Sequence, residues 1–398
     1  RIYYEKKIDA SKSNAKATWR VLNEIIKTKK KAFKINSIFK VDNLEITDPL
    51  DIANRFCSYF SSIGPNLAKE IHSSVSHRSF LSGHFCQSVF FDPVTPNELS
   101  EISNAFRPGK AAGHDRIPIS IIKQSIHIIA DPLAHIINLS ISHGIVPDQM
   151  KIARLIPLFK AGDRSLFTNY RPISILPSFS KFLDKVVYNR LYNYLSKLKI
   201  LCDNQFGFRK NHSTSLALID LHEKISLALD RNEHAVGVFL DLSKAFNTVD
   251  HNILLDKLEH YGIHGVALDW VRSYLSNRLQ FVQFNDKCSS PQTICCGVPQ
   301  GSILGPLFFL LYINDLNNVS TLVELILFAD DTNLFMSHKD PVYLAASLNS
   351  ELNKLSTWFK ANKLSLNLKK TNFMLFKPRQ KKYHFPMQLC INDQRIEQ

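Results

Sequence analysis

No stretch of this 398-residue chain stays apolar long enough to cross a bilayer. The most apolar run, residues 303–313, is interrupted by Gly305 and Pro306, whereas a membrane helix needs about 20 consecutive apolar residues. The N-terminus lacks the basic start and apolar core of a secretory signal. Cysteine is sparse. The seven present are an odd number with no CxxC pair and one adjacent couple, Cys295 and Cys296. Such usage supports neither a disulfide framework nor a zinc site and fits a reducing compartment. Internal repeats and low-complexity tracts are also missing. The chain therefore reads as soluble and intracellular, and its start at Arg1 rather than Met suggests a piece of a longer polyprotein.

What the chain does have is apolar mass and positive charge. Hydrophobic residues make up 45%, with 27 Phe, which leaves little room for extended disorder. The length allows two or three globular units sharing large cores. The net charge of +14 sits at the two ends: residues 1–40 carry twelve Lys or Arg against Glu5, Asp9 and Glu24, and residues 360–382 carry eight basic residues and no acidic one. Together these exceed the total, so the middle is close to neutral. Either segment alone is adequately explained as a solvated face. Both become nucleic-acid surfaces only if the middle carries chemistry that uses one.

Periodicity and breakers give a coarse organisation. Residues 11–31 are patterned as a helix, with Trp19, Leu22, Ile25 and Ile26 on one stripe. An apolar-patterned stretch at 52–60 is followed by a Ser, Gly, His and Pro-containing loop over 61–96, the best linker candidate. Helical spacing then covers 99–106, 119–129 and 132–142, with a strand at 152–159. Beyond it, β-rich runs such as 235–240 and 325–328 alternate with helical segments such as 252–261 and 307–314. The pattern is an α+β fold, not a bundle or a sandwich.

Three segments carry chemistry. In HAVGVFLDLSKAFNTVD (234–250) an apolar strand ends abruptly at Asp241, and a carboxylate there is costly unless it is paired or binds a cation. By itself it could equally cap a turn. In ELILFADDTNLF (324–335) two apolar runs flank a polar tip, which reads as a β-hairpin presenting Asp330 and Asp331. Adjacent carboxylates repel when ionised, and a divalent cation is the natural remedy. Between these lies GVPQGSILGPLFFLLYIND (297–315), where Gly297, Pro299, Gln300 and Gly301 form a stiff loop with few side chains ahead of an apolar helix. Backbone of that kind can approach a flat ligand such as a base pair. Hard oxygen donors suit Mg²⁺, and a pair of such ions serves in-line phosphoryl displacement.

The strings FLDLSKAFNTVDH, GVPQGSILGPLFFLLYINDL and LFADD resemble the palm motifs of reverse transcriptases from non-LTR retrotransposons, the long interspersed elements of Jockey and CR1 type. KAAGHDRIPISIIK, IPLFKAGD, NYRPISILPSFSKFLDKV and QFGFRKNHST are similar to the fingers motifs, and WFKANKLSLNLKKT to the last palm motif. The resemblance covers about 106–376. It implies a right-hand polymerase fold with a helical N-terminal region, fingers and palm, the thumb being largely absent. Residues 1–60 would be a basic helical linker of the kind that follows an endonuclease domain, 61–97 a loop, 98–233 the fingers and 234–398 the palm, ending before the primer grip.

The resemblance also implies roles. Asp241, Asp330 and Asp331 would be catalytic and would hold two Mg²⁺ ions (or Mn²⁺), with the main-chain carbonyl of Leu242 completing one shell. Phe246 would crowd a ribose 2′-OH and select deoxynucleotides. Lys160 and Arg171 would grip the triphosphate, Gln300 and Gly301 would meet the nascent base pair, and Lys370 would serve the leaving pyrophosphate. Phe206, Gly207 and Arg209 would line the template. The partners implied are an element RNA template, a target-site DNA primer and deoxynucleoside triphosphates, in nucleus and cytoplasm.

Two motif positions depart from the pattern. Asn247 stands where the family usually has Asp, and the fingers string GPDG is replaced by Gly113, His114, Asp115 and Arg116. The alternative function is thus a catalytically inactive copy that only binds RNA. An RNA-dependent RNA polymerase is disfavoured by Phe246, and an intron maturase by the FADD and SKAF strings.

Overall fold

The computed structural model describes residues 2–12, 14, 17–19, 21, 22, 38–41, 44–83, 85, 87–378 and 387–398. The stripe expected over 11–31 falls largely outside these, including Ile25 and Ile26; residues 17–19, 21 and 22 are helical. The last basic residues of 360–382 also lie outside the described residues.

In chain order the strands among the described residues are β1 (Phe39–Val41), β2 (Leu44–Ile46), β3 (Ala153–Phe159), β4 (Tyr170–Ile175), β5 (His234–Leu240), β6 (Arg278–Phe284), β7 (Lys287–Cys288), β8 (Gln292–Ile294), β9 (Glu324–Phe328), β10 (Asp331–His338), β11 (Asn372–Phe376), β12 (Cys390–Ile391) and β13 (Gln394–Arg395). One sheet has the order β11-β5-β10-β9, with every pairing antiparallel. Its centre, β5, is buried at all positions except the half-buried Phe239, as its unbroken apolar run requires. Beneath it lies the helix Leu304–Ile313, apolar all round and buried at every residue but Pro306; such a helix can only be a core helix. Leu344, Leu348, Leu352 and Trp358 of the helix Pro341–Ala361 belong to the same core.

The second sheet has the order β4-β3-β6-β7, with β8 also on β6. Here β3 runs antiparallel to β4 and parallel to β6. A separate aromatic core covers it, in which Ile52, Phe56 and Phe60 of the helix Pro49–Lys69 meet Phe167, Tyr170 and Phe284. That helix starts cleanly because the Asp48 side chain accepts a hydrogen bond from the Asp51 N–H at 2.8 Å and Pro49 opens the first turn.

Two expectations about element bounds need correction. The loop placed at 61–96 begins later, since the helix runs on through Pro65 to Lys69, carried by the buried Ile63 and Gly64, and a 3-10 turn follows at His77–Phe80. Helices 119–129 and 132–142 are one, Ile119–His143, because its buried face continues across Pro132 from Ile126 and Ala130 to Leu133 and Ile137; it stops at left-handed Gly144. The strands on the two sides of 233/234 share a sheet, because β6 crosses back to pair with β3 and carries β8 beside it. Among the described residues no helix is long and apolar enough to cross a membrane.

A buried ion pair ties the helices under the first sheet. Lys257, fully buried on the helix His251–His260, donates at 2.5 Å to Asp315 Oδ1 and to the Tyr312 carbonyl. Asp315 Oδ2 accepts from Trp358 Nε1 at 3.1 Å, and the ammonium lies over the Tyr312 and Trp358 rings. Burial outweighs the carboxylate's pull and lowers the Lys257 ammonium to about 8. Asp315→Ala strands that charge and should cost about 3–5 kcal/mol in urea unfolding, whereas Lys257→Met with Asp315→Leu should cost far less.

Candidate active site

Asp241 follows the last residue of β5 and Asp331 opens β10. The register pairs Thr332 with Leu240, so one step further Asp331 stands opposite Asp241. Phe328 pairs with Asp331, which leaves Ala329 and Asp330 as the hairpin turn, with Ala329 in the left-handed region at φ +56°. All three carboxylates therefore gather at one end of the sheet. Burial pushes the Asp331 carboxyl up, and the charges of Asp330 and Asp241 push it further. Burial likewise raises Asp330, helped by Asp241 and opposed by its own backbone N–H, Arg171 and Lys160.

The segment after the helix Pro341–Ala361 holds Asp241 in place. Asn367 Nδ2 donates to Asp241 Oδ2 at 2.9 Å, and the Asn367 N–H donates to the Asp241 carbonyl at 2.8 Å. Leu242 bridges Leu366, with the Ser243 N–H bonded to the Ser365 carbonyl. This pattern makes Leu242 a non-hydrogen-bonded pair member and turns its carbonyl away from Leu366, towards the hairpin side.

Cations ring the acids. Lys160 directly follows β3, and Arg171 on β4 pairs with Leu158. Burial and the nearby Lys370 and Arg171 disfavour the Lys160 ammonium, while Asp241 favours it. Lys370 Nζ is 3.6 Å from Asp241 Oδ2. Lys244, which sequence reading passed over, joins them: burial and the charges of Arg171 and Lys370 disfavour its ammonium too.

The loop expected to line a template is a buttress for the hairpin. Gln205, 2% exposed, accepts through Oε1 from the N–H groups of both Ala329 (2.9 Å) and Gly207 (2.8 Å). The Phe206 N–H donates to the Leu327 carbonyl at 2.7 Å. A Cβ on Gly207 would lie 2.2 Å from Ala329 N, so glycine is required by backbone approach. Arg209 turns inward: Nη1 donates to the carbonyls of Cys202 (2.6 Å) and Gln205 (3.3 Å). Its Nη2 lies 4.0 Å from Asp203 Oδ1.

Phe246 stacks on Phe309 of the core helix with centroids 4.6 Å apart and meets Phe208 edge-on. Gln300 Nε2 donates to Asn247 Oδ1 at 2.9 Å, and its carbonyl accepts from the Ser174 N–H at 2.8 Å. Gly301 has φ +123°, and a Cβ there would lie 2.5 Å from the Ser174 carbonyl. Asn247 thus supplies the acceptor that an Asp would. Asn367, Gln205 and Lys244 went unsingled in the sequence because a lone amide or lysine carries no signal without its partner; their only trace is a place inside the quoted motifs.

The donor set is of hard carboxylate oxygens and its acids repel one another, which suits a divalent cation. Among the described residues no three His, Cys, Asp or Glu side chains converge closely enough to chelate an ion as they stand. Lys370 supplies the positive charge beside Asp241.

A sheet ending in three carboxylates, faced by a cluster of lysine and arginine and by a rigid glutamine loop, belongs to the polymerase class of folds. Residues 160–387 match the family described as reverse transcriptase (RNA-dependent DNA polymerase), and the chain belongs to it. It is 32% identical over 296 residues to the probable RNA-directed DNA polymerase from transposon BS of Drosophila melanogaster, covering 70% of this chain and 32% of that protein. It is 30% identical over 313 residues to the RNA-directed DNA polymerase from mobile element jockey of Drosophila funebris, covering 75% and 33%. The chain spans about a third of the length of these relatives. The resemblance to non-LTR retrotransposon enzymes drawn from the motifs is borne out.

Because the three acids repel, removing one charge should relieve the fold. Raised carboxyls bind protons more readily in the folded state than in the unfolded one, so their contribution to stability falls as pH rises through the raised range. Asp330→Asn, measured by thermal unfolding at neutral pH without divalent cations, should therefore raise the midpoint. A lower midpoint would show that the carboxylate is held by attraction.

Proposed function

We propose that this chain is the catalytic part of an RNA-directed DNA polymerase that adds deoxynucleotides to a primer 3′-OH on an RNA template. The observation that supports it most is the convergence of Asp241, Asp330 and Asp331 at one sheet end, mutually repelling and faced by Lys160, Arg171 and Lys370. The family generally uses divalent metals, and these three side chains with the Leu242 carbonyl would hold two Mg²⁺ ions, or Mn²⁺ in their place. Bound there, such ions activate an attacking oxygen and stabilise a leaving one in in-line displacement.

The rest is the work of the chain's own residues. Lys160 and Arg171 bind the triphosphate, Arg171 through the paired donors that suit phosphate. Lys370, released from Asp241, pairs with the departing pyrophosphate or hands it a proton from Nζ. Phe246, held by Phe309, crowds the ribose 2′ position, and Gln300 with Gly301 meets the nascent pair. Phe206 lies on the template side, where stacking on bases is the available contact. The basic termini bind element RNA and target DNA through phosphate contacts. Asn247 keeps Gln300 supplied with an acceptor, which favours the active reading over an inert RNA-binding copy.

Primer extension on an RNA template with Mg²⁺ tests this. The chain should incorporate deoxynucleotides, and Asp241→Asn should reduce the rate at least about a thousandfold, a loss of several kcal/mol of transition-state stabilisation. Extension that survives Asp241→Asn refutes the site. Phe246→Val should raise ribonucleotide incorporation relative to deoxynucleotide by at least about tenfold, the scale of removing a steric contact; an unchanged ratio would remove Phe246 from the gate.

A further inference from the structure

Against the Gln300 loop lies a small, partly open cavity of about 30 Å³, where Ser61, Ser174, Asn247, Arg278, Gln280 and Gln300 share the lining with apolar residues such as Phe60 and Val298. Its floor is unusual. Arg278, at the start of β6, is 1% exposed and donates through Nη1 to the Tyr274 carbonyl at 2.9 Å, but among the described residues nothing accepts from its Nε or Nη2. Gln280, two residues along the same face of β6, is 6% exposed, and its Nε2 has no partner among them either. Three unpaired buried donors therefore belong to two residues that line one small space. Leaving such groups unmade is costly, most of all on a guanidinium.

The size and charge of the cavity decide what fills it. A water needs about 10–15 Å³ of such space and two to four polar partners, so there is room for one or two. A phosphate does not fit, and the Arg278 charge already has a counterpart in the buried carboxylate of Asp184. Gln300 and Asn247, already joined by a 2.9 Å hydrogen bond, line the same cavity.

We propose that Arg278 and Gln280 are positioning residues that hold ordered water behind the Gln300 loop, and that this water fixes the Gln300 amide in the orientation that meets the nascent base pair. The second half rests on the polymerase reading of Gln300. The water adds a second anchor to the Asn247 bond, so that the amide cannot turn over. Water-mediated bonds of this kind are nearly as good as direct ones. The fingers sheet would thereby set pairing stringency through β6, without touching nucleotide.

Two measurements test it. A high-resolution crystal structure of the chain should show ordered water within hydrogen-bond distance of Arg278 Nε or Nη2 and of Gln280 Nε2; a dry cavity, or one filled by a side chain, overturns the proposal whether or not the chain polymerises. Gln280→Met removes the donor while keeping length and avoids stranding Asp184. It should raise KM for the correct deoxynucleotide and the misincorporation ratio by about three- to tenfold, the scale of one hydrogen bond, with kcat within about twofold and an unchanged thermal midpoint. In a Gln300→Ala background the same substitution should add nothing. An undiminished effect there, or none in the parent chain, overturns the positioning role. Ordered water in a chain that extends no primer would instead refute the polymerase reading and leave the water site standing.

Discussion

Asp241, Asp330 and Asp331 lie at one end of a sheet whose central strand is almost wholly buried, and burial together with the neighbouring carboxylates makes the ionised forms of Asp330 and Asp331 costly. Much of the surrounding structure answers that constraint. Asn367 grips Asp241 by side chain and backbone. Gln205 ties the turn at Ala329 to the loop beside it, so the hairpin cannot relax by swinging its tip into solvent. Lys160, Arg171 and Lys370 offset the charge while repelling each other. The site is thus strained in both signs, a state that a polyanionic substrate and divalent cations together would relieve. Perturbation of this kind marks functional sites because charge must be held ready before ligands arrive.

The positions of the acids were legible from residues alone as a strand end and a hairpin tip, although each Asp by itself could equally serve a turn and only the combination with the Gly/Pro loop and its helix pointed to a site. The α+β mixture and the buried helix following the Gly/Pro loop were legible for the same reason. What the residues did not disclose depends on long-range partners. Gln205 meets Ala329, 124 positions away, and Asn367 meets Asp241, 126 positions away; no local pattern encodes either contact. The bonds from Arg209 Nη1 to the Cys202 and Gln205 carbonyls were hidden for a related reason, since they depend on how the loop folds back on itself.

Two element bounds were read less well, because turn-forming composition was weighed more heavily than apolar faces. Pro65 and Pro132 both lie inside helices whose buried faces run straight past them. A proline forfeits one intrahelical hydrogen bond and crowds the preceding turn, and continuous burial on either side outweighs that. The same helix Pro49–Lys69, read as linker followed by loop, seals the aromatic core of the second sheet.

That sheet matters to the chemistry because it is not separable from the first. The Ser174 N–H on β4 holds the Gln300 carbonyl, the Gln300 amide holds Asn247 just beyond β5, and Phe246 beside it stacks on the helix that the glutamine loop leads into. A displacement of β4 is therefore felt at Gln300, at Asn247 and, through the backbone, at Asp241 within the same short circuit of bonds. Arg171, the residue best suited to grip phosphate, sits on β4 as well. Substrate binding at Arg171 and base-pair contact at Gln300 are consequently mounted on one strand, so geometry that suits the phosphates constrains the geometry offered to the base.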